Sequence, residues 1–233
     1  MKTTIKTGLA ALVLLLAISC KKENSTIKSL FTSDQSSIQS SVAASDSSGI
    51  KIGTQIWQRK NLDLSRYRNG DRIPEVKSKA AWHNMTTGAW CYYNNDPTTY
   101  KIYGKLYNWY AVNDPRGLAP IGWHVANEAD WATLQTFLGG YQVAGGKMKE
   151  TGTTHWLAPN TSASNSSGFT ALPGGFRIYN GNFMEIGQSG CWWTSTDALF
   201  GPWYVTTSYT AGSAYLNSFG EKILGYSVRC IKD

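Results

Sequence analysis

The chain is short of the residues from which catalytic and metal centres are usually built. It has three histidines and four cysteines. No two of Cys20, Cys91, Cys191 and Cys230 lie within a helical turn of each other, which excludes a local zinc knuckle. His83, His124 and His155 are isolated from one another in the same way. Charged residues make up only 16% of the sequence, and no run of Lys or Arg is longer than the pairs Lys21-Lys22 and Arg59-Lys60. Without a basic helix face, or aromatics interleaved with cations, nucleic acid is excluded as an expected partner. No apolar run reaches the roughly 20 residues that a membrane-crossing helix needs.

The longest apolar run, Leu9 to Ile18, follows Lys2 and Lys6 and leads into Ser19-Cys20, the layout of a secretion signal over residues 1–19. Leu16-Ala-Ile-Ser-Cys20 is similar to a bacterial lipobox, which implies cleavage before Cys20 and acylation of that residue. Two or three acyl chains anchor stably at ~0.8 kcal/mol per buried methylene. Removing the signal lowers the formal net charge from +7 to +5. Residues 20–49 are rich in Ser, Thr, Asn, Asp and Gln without apolar periodicity, and are expected to be a flexible tether beside the outer membrane. Residues 50–233 are one domain's worth of chain.

Within that domain, Ile50-Lys-Ile-Gly-Thr-Gln-Ile-Trp57 predicts a hairpin about Gly53-Thr54. The apolar positions 103, 106, 107, 110 and 111 have helical spacing and predict a first helix, stopped at Asn113-Asp114-Pro115. A second helix is predicted after Asn127 as N-cap, with Glu128 and Asp130 in the first turn, Trp131, Leu134 and Leu138 facing the core, and Gly139-Gly140 ending it. Beyond Gly140 the chain becomes rich in Gly and Ser, and strand-like pieces follow at 169–172, 175–179, 191–195, 203–207, 214–216 and 225–231. The expectation is an α+β domain, two short helices packed on a small antiparallel sheet with long ordered loops. Ten tryptophans and thirteen tyrosines suit it, since large aromatics with a polar tip can wedge loops together.

Many ordered pieces carry a resemblance. They include Ile52-Gly-Thr-Gln-Ile-Trp57, Asn61-Leu62, Tyr103-Gly-Lys-Leu-Tyr-Asn-Trp-Tyr-Ala-Val112, Leu118-Ala-Pro-Ile-Gly-Trp-His-Val125, Gly145-Gly-Lys-Met-Lys149, Asn165-Ser-Ser-Gly-Phe-Thr-Ala-Leu-Pro-Gly-Gly-Phe-Arg177, Trp193-Thr-Ser-Thr196 and Ser227-Val-Arg-Cys230. Together they resemble the Fibrobacter succinogenes major paralogous domain family of bacterial secreted and lipid-anchored proteins, over nearly all of residues 50–233. The resemblance implies no established catalytic activity. It also implies a C-type-lectin-like fold, shared with formylglycine-generating enzymes, in which the last strand returns to the start of the domain. A disulfide between Cys91 and Cys230 is implied with it, leaving Cys191 free and buried. Ala126 and Cys191 depart from the family's usual proline and aromatic.

Against this background His124, at the mouth of the second helix, reads as a packing or capping residue, because no local motif brings a nucleophile to it. An enzyme would require His124, Cys191 and Arg177 to converge in one cleft. Copper oxidase chemistry would require Cys191 and Cys230 reduced and adjacent. Calcium binding of the lectin kind lacks both of its usual triplets, Glu-Pro-Asn and Trp-Asn-Asp, and no metal or other cofactor is expected. Arg177 and Arg229 read first as anchors inside a loop-rich domain. Trp156, Trp192 and Trp203 stand beside polar or glycine-rich turns and are the candidates for stacking on a ligand. The functional expectation is a lipid-anchored, non-enzymatic binding or adhesion module for a glycan or protein, met by loops 140–168 or 181–190 and facing the periplasm or the cell surface. The alternatives are an unrecognised enzyme and a purely structural envelope protein.

Overall fold

The computed structural model describes residues 49–233; the expected signal, the expected acylation site Cys20 and nearly all of the expected tether lie outside them. The first half contains strands β1 (Ile50–Ile52) and β2 (Gln55–Trp57), helix α1 (Lys79–His83), strand β3 (Trp90–Cys91), helix α2 (Pro97–Tyr100), strand β4 (Leu106–Tyr107), helix α3 (Trp109–Val112), strand β5 (Trp123–Val125) and helix α4 (Glu128–Phe137). Helix α5 (Tyr141–Met148) precedes β6 (Gly174–Arg177), β7 (Phe183–Ile186), β8 (Ser189–Trp193), β9 (Tyr204–Ser208), β10 (Ala214–Asn217) and β11 (Cys230–Lys232). All strand pairs are antiparallel, which makes the domain α+β. Among the described residues no helix is long and apolar enough to cross a membrane.

The expected hairpin forms about Gly53, whose φ of +61° suits a residue without a Cβ. It is closed by the far end of the chain. β11 pairs with β2 at Ile231↔Trp57 and with β5 over Cys230 to Lys232, giving the sheet order β1-β2-β11-β5. A second sheet, β10-β9-β8, carries Trp192 and Trp193 into the core.

Helix α4 matches its expectation closely. Asn127 Oδ1 accepts from Asp130 N at 2.9 Å, and Asp130 Oδ2 accepts from Asn127 N at 2.8 Å, a reciprocal capping box. Trp131, Leu134 and Leu138 are buried beside Trp57, Phe169 and Trp192, with the Trp57 and Trp131 ring centroids 4.8 Å apart. Several tryptophans also tie loops together. Trp90, Trp109, Trp156 and Trp193 donate their ring N–H to the carbonyls of Ile73, Thr194, Ala171 and Tyr107.

Three expectations are corrected. The stretch 103–111 is not one helix. Gly104 (φ +76°) ends a 3-10 turn at Lys101–Tyr103, Leu106 and Tyr107 pair with β3, and Asn108 caps the single turn of α3. The helical spacing there comes from three elements that bury the same side. Conversely, the glycine-rich Gly145-Gly146 lies inside helix α5, where a Cβ on Gly145 would stand 2.1 Å from the Ser213 carbonyl oxygen and one on Gly146 2.5 Å from that of Ser162. Those glycines serve close packing.

The third correction is the disulfide. Cys91, Cys191 and Cys230 are all free and buried. Cys91 pairs with Leu106, and Tyr107 bridges Tyr226, so the residue two chains across from Cys91 is Ser227, three places before Cys230. Two interstrand spacings and three extended residues separate the Cα atoms by on the order of 14 Å, about twice what a disulfide spans.

Candidate functional site

The loops are clamped by buried cations bonded to neutral oxygens. Arg177, fully buried between the rings of Trp82 and Phe183, donates to the carbonyls of Val76, Lys77 and Gly181. Lys149, also fully buried, donates to the carbonyls of Thr161, Ser208 and Ala211 at 2.8 to 2.9 Å, and burial pulls its pKa down to about 8. Arg229 donates from Nη1 to the carbonyls of Gln58 (2.8 Å) and Phe169 (3.0 Å), and from Nε to Asn61 Oδ1 (3.1 Å). Burial lowers its pKa too. Each cation joins segments distant in sequence, and charge-assisted bonds of this kind are worth more than neutral ones.

Above Arg229 opens a cleft of about 700 Å³. Its walls come from residues 59–63, 101–104 and 168–172, with Glu150 at one side and Arg229 at the floor. Asn61 holds two of these walls together, since its Nδ2 donates to the Tyr103 carbonyl at 2.8 Å while its Oδ1 accepts from Arg229 and from Trp192 Nε1. The third wall is held by strain. Thr170 has φ +53°, a left-handed conformation rare for a β-branched residue. The Asn165 side chain fixes it there, Oδ1 accepting from Thr170 N and Nδ2 donating to Thr170 Oγ1, both at 2.9 Å. The lining mixes cations and hydroxyl or amide groups with the apolar side chains of Ile102 and Leu172.

With this geometry in hand, comparison with known proteins is informative at one level. The sequence model of the Fibrobacter succinogenes major domain matches residues 50–232. The chain belongs to that family. No curated protein and no solved structure matches it.

The expected site residues are scattered. Trp156 and Trp192 are buried, at 1% and 0% exposure, and are core residues; this corrects their assignment as stacking platforms. Their indole N–H groups are spent on Ala171 and Asn61. Trp203 is half-buried. His124 lies between two carboxylates, Nδ1 at 2.8 Å from Asp233 and Nε2 at 3.1 Å from Asp130, which ties the C-terminus to the entrance of α4. Cys191 is buried in another part of the core, and burial pushes its pKa, like those of Cys91 and Cys230, well above the ordinary thiol value. His124, Cys191 and Arg177 therefore do not share a cleft: Cys191 is buried in the core, Arg177 is enclosed by the 76–77 and 181 carbonyls, and neither His124 nor Arg177 lines a cavity with Cys191. Among the described residues no group of three or more His, Cys, Asp or Glu is gathered for a metal.

Sequence reasoning placed Arg229 as an anchor and missed that it floors a cleft. It also overlooked Asn61, Lys60, Lys101 and Thr170. The loop 181–190, expected to meet a ligand, is instead mostly strand, containing all of β7 and the start of β8.

Proposed function

We propose that the protein is a non-enzymatic glycan-binding module on a C-type-lectin-like scaffold, held at the bacterial outer membrane by acyl chains on Cys20. The observation that carries the ligand is the cleft above Arg229. Its volume falls within the range of small-ligand sites, about 300 to 1,000 Å³, and its walls are fixed by buried hydrogen bonds before any ligand arrives. Ile102 and Leu172 offer apolar contact for the C–H faces of a sugar ring, with Asn61, Thr170 and the lysines for its hydroxyls. A concave site suits a glycan better than a folded protein, which needs about 800 Å² of surface on each partner. The absence of chemistry is supported by thiols held protonated by burial and by a histidine bonded on both ring nitrogens. The scaffold assignment is supported by β11, which returns to lie between β2 and β5.

A protein ligand is the second reading, favoured by one observation. Leu199, Phe200 and Phe219 are 90%, 69% and 69% exposed, with the two phenyl rings stacked at 5.8 Å. A glycan array probed with the full chain separates the two: binding on the array that survives Phe200→Ser places the ligand in the cleft, and a silent array sinks the glycan proposal. Anchoring is tested apart, by the mass of the N-terminal peptide and by release of Cys20→Ala as soluble protein.

A further inference from the structure

Charge narrows the class of glycan. Arg59, Lys60, Lys101 and Arg229 line the cleft against two carboxylates, Asp63 and Glu150. Both carboxylates are already engaged. Asp63 accepts from Lys105 Nζ and from Tyr92 Oη at 2.8 Å, and Glu150 is bonded to His155 Nδ1 at 2.8 Å. Lys60 and Lys101, by contrast, are exposed at the rim and take part in no ion pair among the described residues.

The floor is the more telling part. Arg229 is 1% exposed, and its hydrogen bonds leave from Nε and Nη1 to neutral oxygens only. Its charge thus has dipoles around it and no counter-ion among the described residues, a costly state for a desolvated guanidinium. An anion entering the cleft recovers part of that cost, because its attraction to the buried charge acts where water is partly excluded. A neutral sugar, offering only hydroxyl dipoles, recovers less. The strained Thr170 on the facing wall shows that this side is held in one shape by Asn165 at an energetic cost, as pre-organised sites are.

We propose that the cleft selects an acidic glycan, one whose sugar rings carry carboxylates or sulfates, with an acidic group seated between Lys60, Lys101 and Arg229. This inference rests on the glycan-binding function proposed above. Its chemistry does not distinguish a uronic acid from a sulfated sugar, so the test carries both.

The experiment is calorimetric titration of the purified full chain with tetragalacturonate, with its fully methyl-esterified and hence uncharged form, and with a heparin tetrasaccharide. Binding of at least one acidic probe about tenfold tighter than the ester is expected, with about a tenfold loss in the double variant Lys60→Ala/Lys101→Ala, in line with two partly exposed charge contacts. That affinity should also weaken as salt is raised. Lys60 and Lys101 are exposed, so the double variant folds, and its thermal midpoint confirms that. If ester and acid bind alike, the charge inference is overturned while the glycan function stands. If acidic probes bind and the lysine variant binds them equally well, the assignment to this cleft is overturned. If no probe binds, the acidic-glycan inference is overturned, while the glycan function stands or falls by the array.

Discussion

Asn61 Oδ1 accepts from Arg229 Nε at 3.1 Å across 168 residues of chain, and the same oxygen accepts from the Trp192 indole at 2.8 Å. One small amide therefore satisfies a buried cation and a buried tryptophan, while its own N–H reaches the Tyr103 carbonyl. Removing it deprives Arg229 Nε, the Trp192 indole N–H and the Tyr103 carbonyl of this partner. Asn61→Ala should lower unfolding free energy by about 3 kcal/mol, since each buried polar group left unpaired costs about 1 to 3 kcal/mol. Urea denaturation gives the number directly; a loss under about 1 kcal/mol would mean that water replaces the amide.

The thiols give a second prediction. Because Cys91, Cys191 and Cys230 are free and buried, iodoacetamide at pH 8 should label none of them in the native protein and all three in denaturant without reductant. Intact mass should not change on reduction. A gain of two hydrogens on reduction, with labelling of Cys191 alone beforehand, would restore the Cys91–Cys230 bridge.

The same thiols set a pH dependence. Burial pushes Cys91 and Cys230 up to about 12, whereas in the unfolded chain such thiols ionise near the ordinary value of 9. Their raised folded pKa means that the native state holds protons which the unfolded state has released. Stability is therefore full below pH 9 and falls as pH rises from 9 towards 12, by about 1.4 kcal/mol per pH unit for each thiol. Replacing Cys91 by alanine should make the decline shallower by one thiol's share. Urea midpoints from pH 8 to 10.5 measure it, and parallel curves for the two proteins would refute it.

How far these features were legible in the sequence depended on the range of the forces involved. Helix α4 was readable because its cap, its acidic first turn and its buried stripe all lie within the residues 127–140. The hairpin was readable for the same reason. The stretch 103–111 misled because Leu106 and Tyr107 take their partners from β3 and Tyr226, and no local signal announces them. The cleft was illegible as a site. Arg229 was visible as an anchor, but Lys60, Lys101 and Thr170 meet it only after four distant segments fold together, and their residue types are ordinary for a surface. The burial of Trp156 and Trp192 was hidden likewise: the ring of Trp156 turns inward from a segment whose other residues mostly stay exposed, and Trp192 lies in a strand covered on both sides.

Helix α5 yields a prediction opposite to the usual rule. Alanine in place of a helical glycine ordinarily stabilises by about 0.5 to 1 kcal/mol. At Gly145 the new methyl would stand 2.1 Å from the Ser213 carbonyl oxygen, which is backbone and cannot swing away. Gly145→Ala should destabilise by about 2 kcal/mol as the helix and the 212–214 segment are forced apart. A thermal melt showing an unchanged or raised midpoint would mean that this contact yields easily.

Thr170 links stability to binding. Its left-handed backbone costs about 1 to 3 kcal/mol, and glycine would relieve it, while adding unfolded-state entropy of about 0.5 to 1 kcal/mol and losing the bond from Asn165 Nδ2. These terms oppose one another, so Thr170→Gly should leave the unfolding free energy within about 1 kcal/mol of the parent. Binding should suffer more. The wall that Thr170 forms is pre-organised by the two Asn165 bonds, and a glycine there frees residues 168–172 to sample other shapes, so the ligand must pay to order them. Affinity for the acidic tetrasaccharide should drop about fivefold while the denaturation midpoint barely moves, given that ordering one or two residues costs about 1 to 2 kcal/mol apiece. If midpoint and affinity fall together, Thr170 supports the fold and not the cleft. If affinity is unchanged in a stable variant, the wall tolerates freedom and its strain has no part in recognition.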